Sequence, residues 1–201
     1  IAETTNYLST TKTLRVNVVM PENILKVGSD KEFTTIQAAV DAANDGDTII
    51  VYPGIYKEAV DVTTKTITIV GTDKEACILT YPNGDYYNPP LEMASGVLKN
   101  MQIIATVQTK LPDVVAKAYC LHIDYDMLEN KTFYVENVDF INNDYQVVGI
   151  GLRANSTLEF VNCTFTSKNS MNAMYCHDHV KQAKNQKLVV RNCEFTNSGS
   201  S

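Results

Sequence analysis

Hydrophobic positions along this chain follow two different periods, and the change from one to the other organises it. Over Thr34 to Ala43 the apolar residues Ile36, Ala39, Val40 and Ala43 recur at helical spacing, while Asp41, Asn44 and Asp45 fall outside that face. Thr34 and Gln37 have capping-box spacing, in which the hydroxyl takes an amide of the first turn and the Gln side chain reaches back. Asn44-Asp45-Gly46-Asp47 ends the helix, because Gly tolerates the left-handed backbone that helix C-termini favour. Short β-rich runs follow: Thr48 to Tyr52, turned by Pro53-Gly54, then Tyr56 to Val62 and Lys65 to Val70, closed by Gly71. Upstream, Leu14, Val16, Val18 and Met20 alternate with Arg15, Asn17 and Val19 as in a strand, within a strand or linker segment (1–25) that precedes the main domain (26–201). From Ala76 the pattern turns irregular, and YPNGDYYNPP (81–90) reads as a turn-rich loop. Its tyrosines either pack on the surface or offer faces suited to sugar C–H groups.

Beyond residue 95 the dominant signal is a repeat. Val97 to Ile103, Tyr134 to Phe140, Glu159 to Phe165 and Val189 to Phe195 each read as a short strand, an Asn, two variable residues and an apolar residue. The steps between Asn100, Asn137, Asn162 and Asn192 are unequal, as expected of coils that share a turn and differ in their loops. Stacked, these residues form an Asn ladder in which each amide serves the next at a buried bend, and Ile103, Phe140, Phe165 and Phe195 form an apolar stack beside it. Parallel strands with continuous inward Val, Ile and Phe are the implied architecture.

The same repeat sets expectations for the cysteines and for a polar column. Cys163 and Cys193 hold one repeat position and fall on neighbouring strands, either as a disulfide or, in better accord with a packed stack, as small buried thiols. Five cysteines without Cys-x-x-Cys spacing argue against zinc. His122 and His177 lie at equal distances before Asn137 and Asn192, and closing a six-residue gap brings Arg153 level with both. The expected column is therefore His122, Arg153 and His177, with Asp124, Asp178 and His179 nearby. Three chemistries fit it: an acidic sugar held bidentately by Arg153, a divalent cation such as calcium held by His179 and the carboxylates, or solvent-facing polar strand ends paired locally.

Charge and hydropathy remove several classes. A formal net charge of −6 is wrong for a nucleic-acid groove, and no apolar run reaches the roughly 18–20 residues needed to cross a bilayer. Asn130, Asn155 and Asn162 begin Asn-x-Thr sequons, and the last is expected to be buried in the ladder.

FTTIQAAVDAANDGDTIIVYPGIYKEAV (33–60), with ITIVGT (67–72) after it, resembles the opening of the pectin methylesterase family and, more loosely, the wider pectate-lyase-like group. The resemblance implies an all-β fold, a right-handed single-stranded parallel β-helix with an N-terminal capping α-helix, in which Gly54 to Glu58 is a structural turn and strand. Gln146 to Arg153 resembles the family segment Gln-Ala-Val-Ala-Leu-Arg, and Glu159 to Phe165 resembles the Phe-Tyr-Asn-Cys-x-Phe strand after it. By that match Gln146 takes the position of an oxyanion-stabilising Gln.

The resemblance then departs from the family. Where the family has Gly-Tyr-Gln-Asp-Thr-Leu-Tyr, Ser167 to Tyr175 places Asn169 and Ser170, or Met171 and Asn172, at the Gln and Asp positions. After Asn192 to Phe195 the nucleophile motif Val-Asp-Phe-Ile-Phe-Gly is replaced by Thr196 to Ser201, and there is no Trp for Leu-Gly-Arg-Pro-Trp. Asp139-Phe140-Ile141 copies three letters of the nucleophile motif in an earlier coil, by coincidence. Ester hydrolysis by that route needs one carboxylate as nucleophile and another to move the proton, so no catalytic residue is assigned.

The expected function is a noncatalytic, extracellular or cell-surface module that recognises an acidic, pectin-like glycan through His122, Gln146, Arg153, His177, Asp178 and His179. Two alternatives stand beside it. One is the N-terminal part of a carbohydrate esterase or polysaccharide lyase, the latter using calcium at Asp124, Asp126, Asp178 and Arg153. The other is a structural β-helix of an adhesin or phage tail spike. A β-helix cut after a coil exposes apolar side chains and unpaired amides, so the expectation is either that the domain is incomplete and continues past Ser201 or that a homo-oligomer or a capping partner covers its C-terminal end.

Overall fold

The computed structural model describes residues 23–81, 88–106, 119–123, 129–143, 145–168, 172–177 and 184–198. The strand expected over Leu14 to Met20, most of the tyrosine loop at 81–90, and Asp124, Asp126, Asp178 and His179 lie outside them.

The chain winds as a parallel β-solenoid of about five turns. It begins with β1 (Ile24–Val27) and the one helix among the described residues, α1 (Ile36–Ala42). Each later turn contributes a first leg, a second leg and a short strand on another face. Turn one has β2 (Thr48–Val51), β3 (Gly54–Lys57) and β4 (Val60–Asp61); turn two has β5 (Ile67–Gly71), β6 (Cys77–Tyr81) and β7 (Leu91–Glu92). In turns three and four the two legs fuse into long strands, β8 (Gly96–Ala105) and β10 (Thr132–Asn142), followed by β9 (Leu121–His122) before β10 and β11 (Val148–Gly151) after it. The last turns contribute β12 (Thr157–Val161), β13 (Thr164–Ser167), β14 (Met174–His177), β15 (Lys187–Arg191) and β16 (Glu194–Asn197). The legs form an 11-stranded sheet, and β4, β7, β9, β11 and β14 form a 5-stranded one. Every pairing is parallel.

The expected segment Tyr56 to Val62 is two strands, β3 and β4, in different sheets, because the chain must turn a corner between them. The irregular stretch from Ala76 contains β6, whose Cys77 and Leu79 point inward. Its single buried-half-buried alternation is short and adjoins the turn-rich loop, which hid it.

Phe140 pairs with Ile103 and with Phe165, and Phe165 with Phe195, as the repeat predicts. Phe140 and Phe165 are stacked at 5.3 Å, Phe165 and Phe195 at 4.8 Å, and Phe160 meets Phe165 edge-on at 5.2 Å. Stacked and edge-on rings at such separations add to the burial of their area. The column is fully buried through Phe165, whereas Leu188, Val190 and Phe195 on the last turn are exposed.

Asn100, Asn137, Asn162 and Asn192 lie one above another, and all four have left-handed backbone, with φ between 52° and 55°. Asn137 Nδ2 donates to Asn100 Oδ1 at 2.9 Å. The expectation of a buried bend needs correction: Asn100 and Asn137 are half-buried and Asn162 and Asn192 are exposed. The physical requirement at the bend is positive φ, which Asn tolerates far better than residues with bulkier side chains. A second ladder, unnoticed in the repeat, runs through Asn130, Asn155 and Asn185, with φ of 55–62° and Nδ2-to-Oδ1 bonds of 2.9 Å from Asn155 to Asn130 and from Asn185 to Asn155. All three sequons begin at ladder residues, so corner geometry alone accounts for those Asn residues.

The helix sits on the first turn, with Ile36, Ala39 and Val40 buried. Its N-cap is Thr35, whose hydroxyl accepts from Ala38 N, and not Thr34. Gln37 does not close a capping box. It donates to Asp41 Oδ1 and accepts from Asp61 N. The free amides of Ile36 and Gln37 go instead to the two carboxylate oxygens of Glu58, at 2.8 and 2.9 Å. At the other end Lys65 Nζ takes the carbonyls of Val40, Asp41 and Ala43. Both helix ends are thus satisfied, with matching charge, by side chains one turn away. Tyr56 hydroxyl donates to Tyr52 O at 2.7 Å, so Gly54 to Glu58 is a structural element, as expected.

All five cysteines are free thiols. Burial pushes the Cys120 and Cys163 thiols up to about 12. Cys163 is buried as expected, while Cys193, on the open last turn, is only half-buried.

Candidate functional site

The smaller sheet is where side chains of different kinds meet on one outer face. Its inner face carries Val60, Leu91, Leu121 and Val148, all buried. Alternation along each strand sends the adjacent residues the other way. The register Asp61 to Glu92, Glu92 to His122, His122 to Gly149 and Gly149 to Tyr175 therefore sets five unlike residues in one outward column.

At the middle of that column His122 Nδ1 lies 2.8 Å from Glu92 Oε1, with both side chains largely buried. The contact fixes the imidazole orientation. The ring of Tyr119 stacks on that of His122 at 5.7 Å with 10° between planes, and meets Tyr145 edge-on at 6.1 Å. Gly149 makes this packing possible, since a Cβ there would lie 2.6 Å from Tyr119 Cε2. Tyr145 is half-buried, and burial, with the neighbouring Tyr175 adding to it, holds its hydroxyl above the usual phenol range. Tyr175 itself is 42% exposed.

Gln146 sits at the entry to β11. Asn142, fully buried, builds that corner: its Nδ2 donates to Gln146 O at 2.8 Å, and its Oδ1 accepts from Tyr145 N at 2.9 Å. Cys120 N donates to Val147 O, and Val147 N to Ala173 O, so Gln146 lies between Tyr119 and Asn172 in neighbouring turns. Gln146 is 9% exposed.

The column expected from His122, Arg153 and His177 does not form. His122 is level with Gly149, His177 is level with Gly151, and Arg153 lies two residues past Gly151, beyond the end of β11. Counting back from the ladder Asn residues fails because the connections between the sheets are unequal. They run from His122 to Asn137, from Gly149 to Asn162 and from Tyr175 to Asn192. Sequence reasoning missed Glu92, Tyr119, Tyr145 and Tyr175. The Ala-Tyr-Cys and Met-Tyr-Cys triplets ahead of the two histidines hinted at Tyr119 and Tyr175, and no local signal marked Glu92.

Other candidates are engaged elsewhere. Asp139 holds Lys74 at 3.0 Å and accepts from Thr164 Oγ1 at 2.8 Å, which makes its three-letter match structural. Among the described residues no three His, Cys, Asp or Glu side chains come together to hold a metal ion. A cleft of about 460 Å³ opens between Ser29, Thr34 and Thr35 and the segment from Pro53 to Glu58, and its carboxylate is the one already capping the helix. No helix among the described residues is long and apolar enough to cross a membrane.

No family model and no curated protein sequence matches the chain. Its backbone path does match solved structures. A pectin methylesterase from Aspergillus niger aligns with TM-score 0.56 at 18% identity, over 93% of this chain and 71% of that one. The pectin methylesterase from carrot aligns with TM-score 0.58 at 16% identity, over 91% of this chain, which spans only 65% of the carrot protein. A pectin methylesterase mutant solved in complex with a hexasaccharide aligns with TM-score 0.56 at 12% identity, over 91% of this chain and 68% of that one. What the chain shares with the pectin methylesterases is the fold, the right-handed parallel β-helix that their resemblance implied.

Proposed function

We propose that this chain is a noncatalytic, extracellular or cell-surface module that recognises an acidic, pectin-like polysaccharide along the outer face of the smaller sheet. The observation that carries the reading is the unlike column from Asp61 to Tyr175, in a fold shared with pectin methylesterases, one of them solved with a hexasaccharide. The two corner ladders repeat Asn, and the stack through Phe140, Phe165 and Phe195 repeats Phe. Here successive turns offer two carboxylates, an oriented imidazole, a glycine and an exposed phenol.

In this reading Arg153 pairs with a sugar carboxylate as a planar fork, and Gln146, His122 and His177, with Asp178 and His179, supply further polar contacts. Asn172, beside Gln146, carries an amide and no carboxylate, which supports recognition without turnover. The experiment is a glycan array of acidic polysaccharides, including de-esterified and methylated pectins, run on wild type and Arg153→Ala, with methanol release and unsaturated-product absorbance recorded on the same ligands. Binding that depends on Arg153 without turnover is expected. Absence of binding to every acidic glycan would overturn the reading.

Gln146 favours a second reading, the N-terminal part of a carbohydrate esterase or lyase, because it lies between Tyr119 and Asn172 of neighbouring turns at the position matching an oxyanion-stabilising Gln. Methanol release or unsaturated product in that assay would select it.

A further inference from the structure

Of the five cysteines, the winding of the chain brings two level with each other. Cys77 stands level with Met101, Cys120 with Val147 and Cys176 with Ile150, whereas Cys163 stands level with Cys193. We infer that Cys163 and Cys193 are an oxidative modification site, where a disulfide oxidant closes a cross-link between consecutive turns and staples the segment that carries β14. The inference stands on the register and is independent of the ligand the smaller sheet takes.

The register fixes the pair from both sides. Val161 pairs with Arg191 and Thr164 with Glu194, while Asn162 N donates to Arg191 O and Glu194 N to Cys163 O, each at 3.0 Å. The two cysteines are therefore on adjacent strands at the ~4.7–4.9 Å ladder spacing, inside the ~4.4–6.8 Å range of Cα separations that disulfides span. Their side chains are oriented alike, since each Sγ donates to the carbonyl two residues earlier, Val161 O and Arg191 O, at 3.3 Å. After burial, the neighbouring Cys193 thiol is a further cause of the rise of the Cys163 thiol to about 12. Closing the bond gives up only S–H···O contacts, which are weak because a thiol is a poor donor. Packing does not ask for sulfur here. The preceding turns place Met101 and Val138 at the same level, both buried.

The chemistry is thiol–disulfide exchange with a small disulfide such as oxidised glutathione. Burial holds Cys163 protonated, so Cys193 attacks first, as thiolate, and expels one glutathione thiolate. Cys163 then loses its proton and attacks the Cys193 sulfur of the mixed disulfide, expelling the second. Two protein thiols are oxidised, one glutathione disulfide is reduced to two thiols, and the two protons pass to the leaving thiolates. The closed loop contains β14, the last strand of the smaller sheet. A cross-link of this kind stabilises chiefly by restricting the unfolded chain.

The whole chain is incubated with oxidised glutathione at mildly alkaline pH. Thiols are counted in denaturant, and tryptic peptides are mapped by mass without reduction. Two of the five thiols should disappear and peptides 154–168 and 192–201 should appear joined. The thermal midpoint should rise by about 5–15 °C and fall back on reduction. Cys193→Ser and Cys163→Val, the latter copying Val138 of the preceding turn, should show no oxidative rise. Glutathione carried on Cys176 with 154–168 and 192–201 unlinked overturns the inference, as does a wild type that keeps all five thiols. A joined pair with an unchanged midpoint overturns the staple.

Discussion

The two sheets stack the same way and are furnished differently. At two corners and in the interior, successive turns place like on like, Asn over Asn and Phe over Phe, while the outward column of the larger sheet runs from Lys99 through Glu136 and Val161 to Arg191. In the smaller sheet the outward column changes residue at every turn, from Asp61 through Glu92, His122 and Gly149 to Tyr175. A like stack has an evident structural cause, since each turn meets the same backbone and packing constraint. What sets the column of the smaller sheet apart is its largely buried His122–Glu92 pair with Tyr119 stacked on the imidazole, and that polar group marks the face where a ligand is to be sought.

That contrast breaks most visibly at Phe165, fully buried between Phe140, Phe160 and Phe195. Phe165→Ala is expected to cost ~3–5 kcal/mol in denaturant unfolding. A loss under ~1 kcal/mol would mean that the stack is not what holds the larger sheet. Next is Glu58, one carboxylate serving two helix amides. Glu58→Ala should cost ~1.5–3 kcal/mol, with early loss of protection from hydrogen exchange in Ile36 to Ala42. If those amides exchange as slowly as before, the helix is held by its apolar face alone.

Asn137 separates backbone from side chain. Asn137→Ala places a Cβ-bearing residue without a compensating amide at φ 55° and is expected to cost ~1–2 kcal/mol. Asn137→Gly keeps the φ and loses only the bond to Asn100, so it should cost less. Equal costs would assign the ladder to its amides and not to its backbone.

Cys120 tests the inner side of the smaller sheet. Its thiol is held up to about 12, against an ordinary value near 9.0 in the unfolded chain. Between those values the folded state keeps a proton that the unfolded state has released. Stability should therefore fall as pH rises from about 9 to 12, by up to ~1.4 kcal/mol per pH unit for this group. Cys120→Ala should flatten that slope in alkaline unfolding curves, whereas Cys176→Ala, at an exposed thiol, should not. Smallest is Tyr175→Ala, for which the unlike column predicts a stability change within ~0.5 kcal/mol. A larger loss would return Tyr175 to the scaffold.

Much of the larger sheet was legible in the sequence, because Asn and Phe recur there in matching surroundings and a repeat reports its own register. The reason for the Asn residues was less so: burial was inferred where left-handed backbone was the requirement, Asn130 and Asn155 were read only as sequons, and Asn185 drew no notice. The helix was legible from Ile36, Ala39 and Val40. Its caps were not, since Glu58 and Lys65 come from another turn and no local pattern links them to it. The candidate site was least legible. His122 was singled out, but its partner Glu92 lies in the preceding turn, and placing Arg153 level with two histidines assumed connections of equal length.

The corner asparagines also determine how this molecule tolerates change. Because the chain is brought back to the same place at each Asn, the count of residues between one corner and the next does not accumulate as error along the axis. An insertion between His122 and Asn137, or a deletion between Tyr175 and Asn192, stays a local event, and turns on either side keep their partners. A protein built this way can revise one face turn by turn, lengthening or shortening the segments that bear on it, while the opposite wall goes on repeating itself.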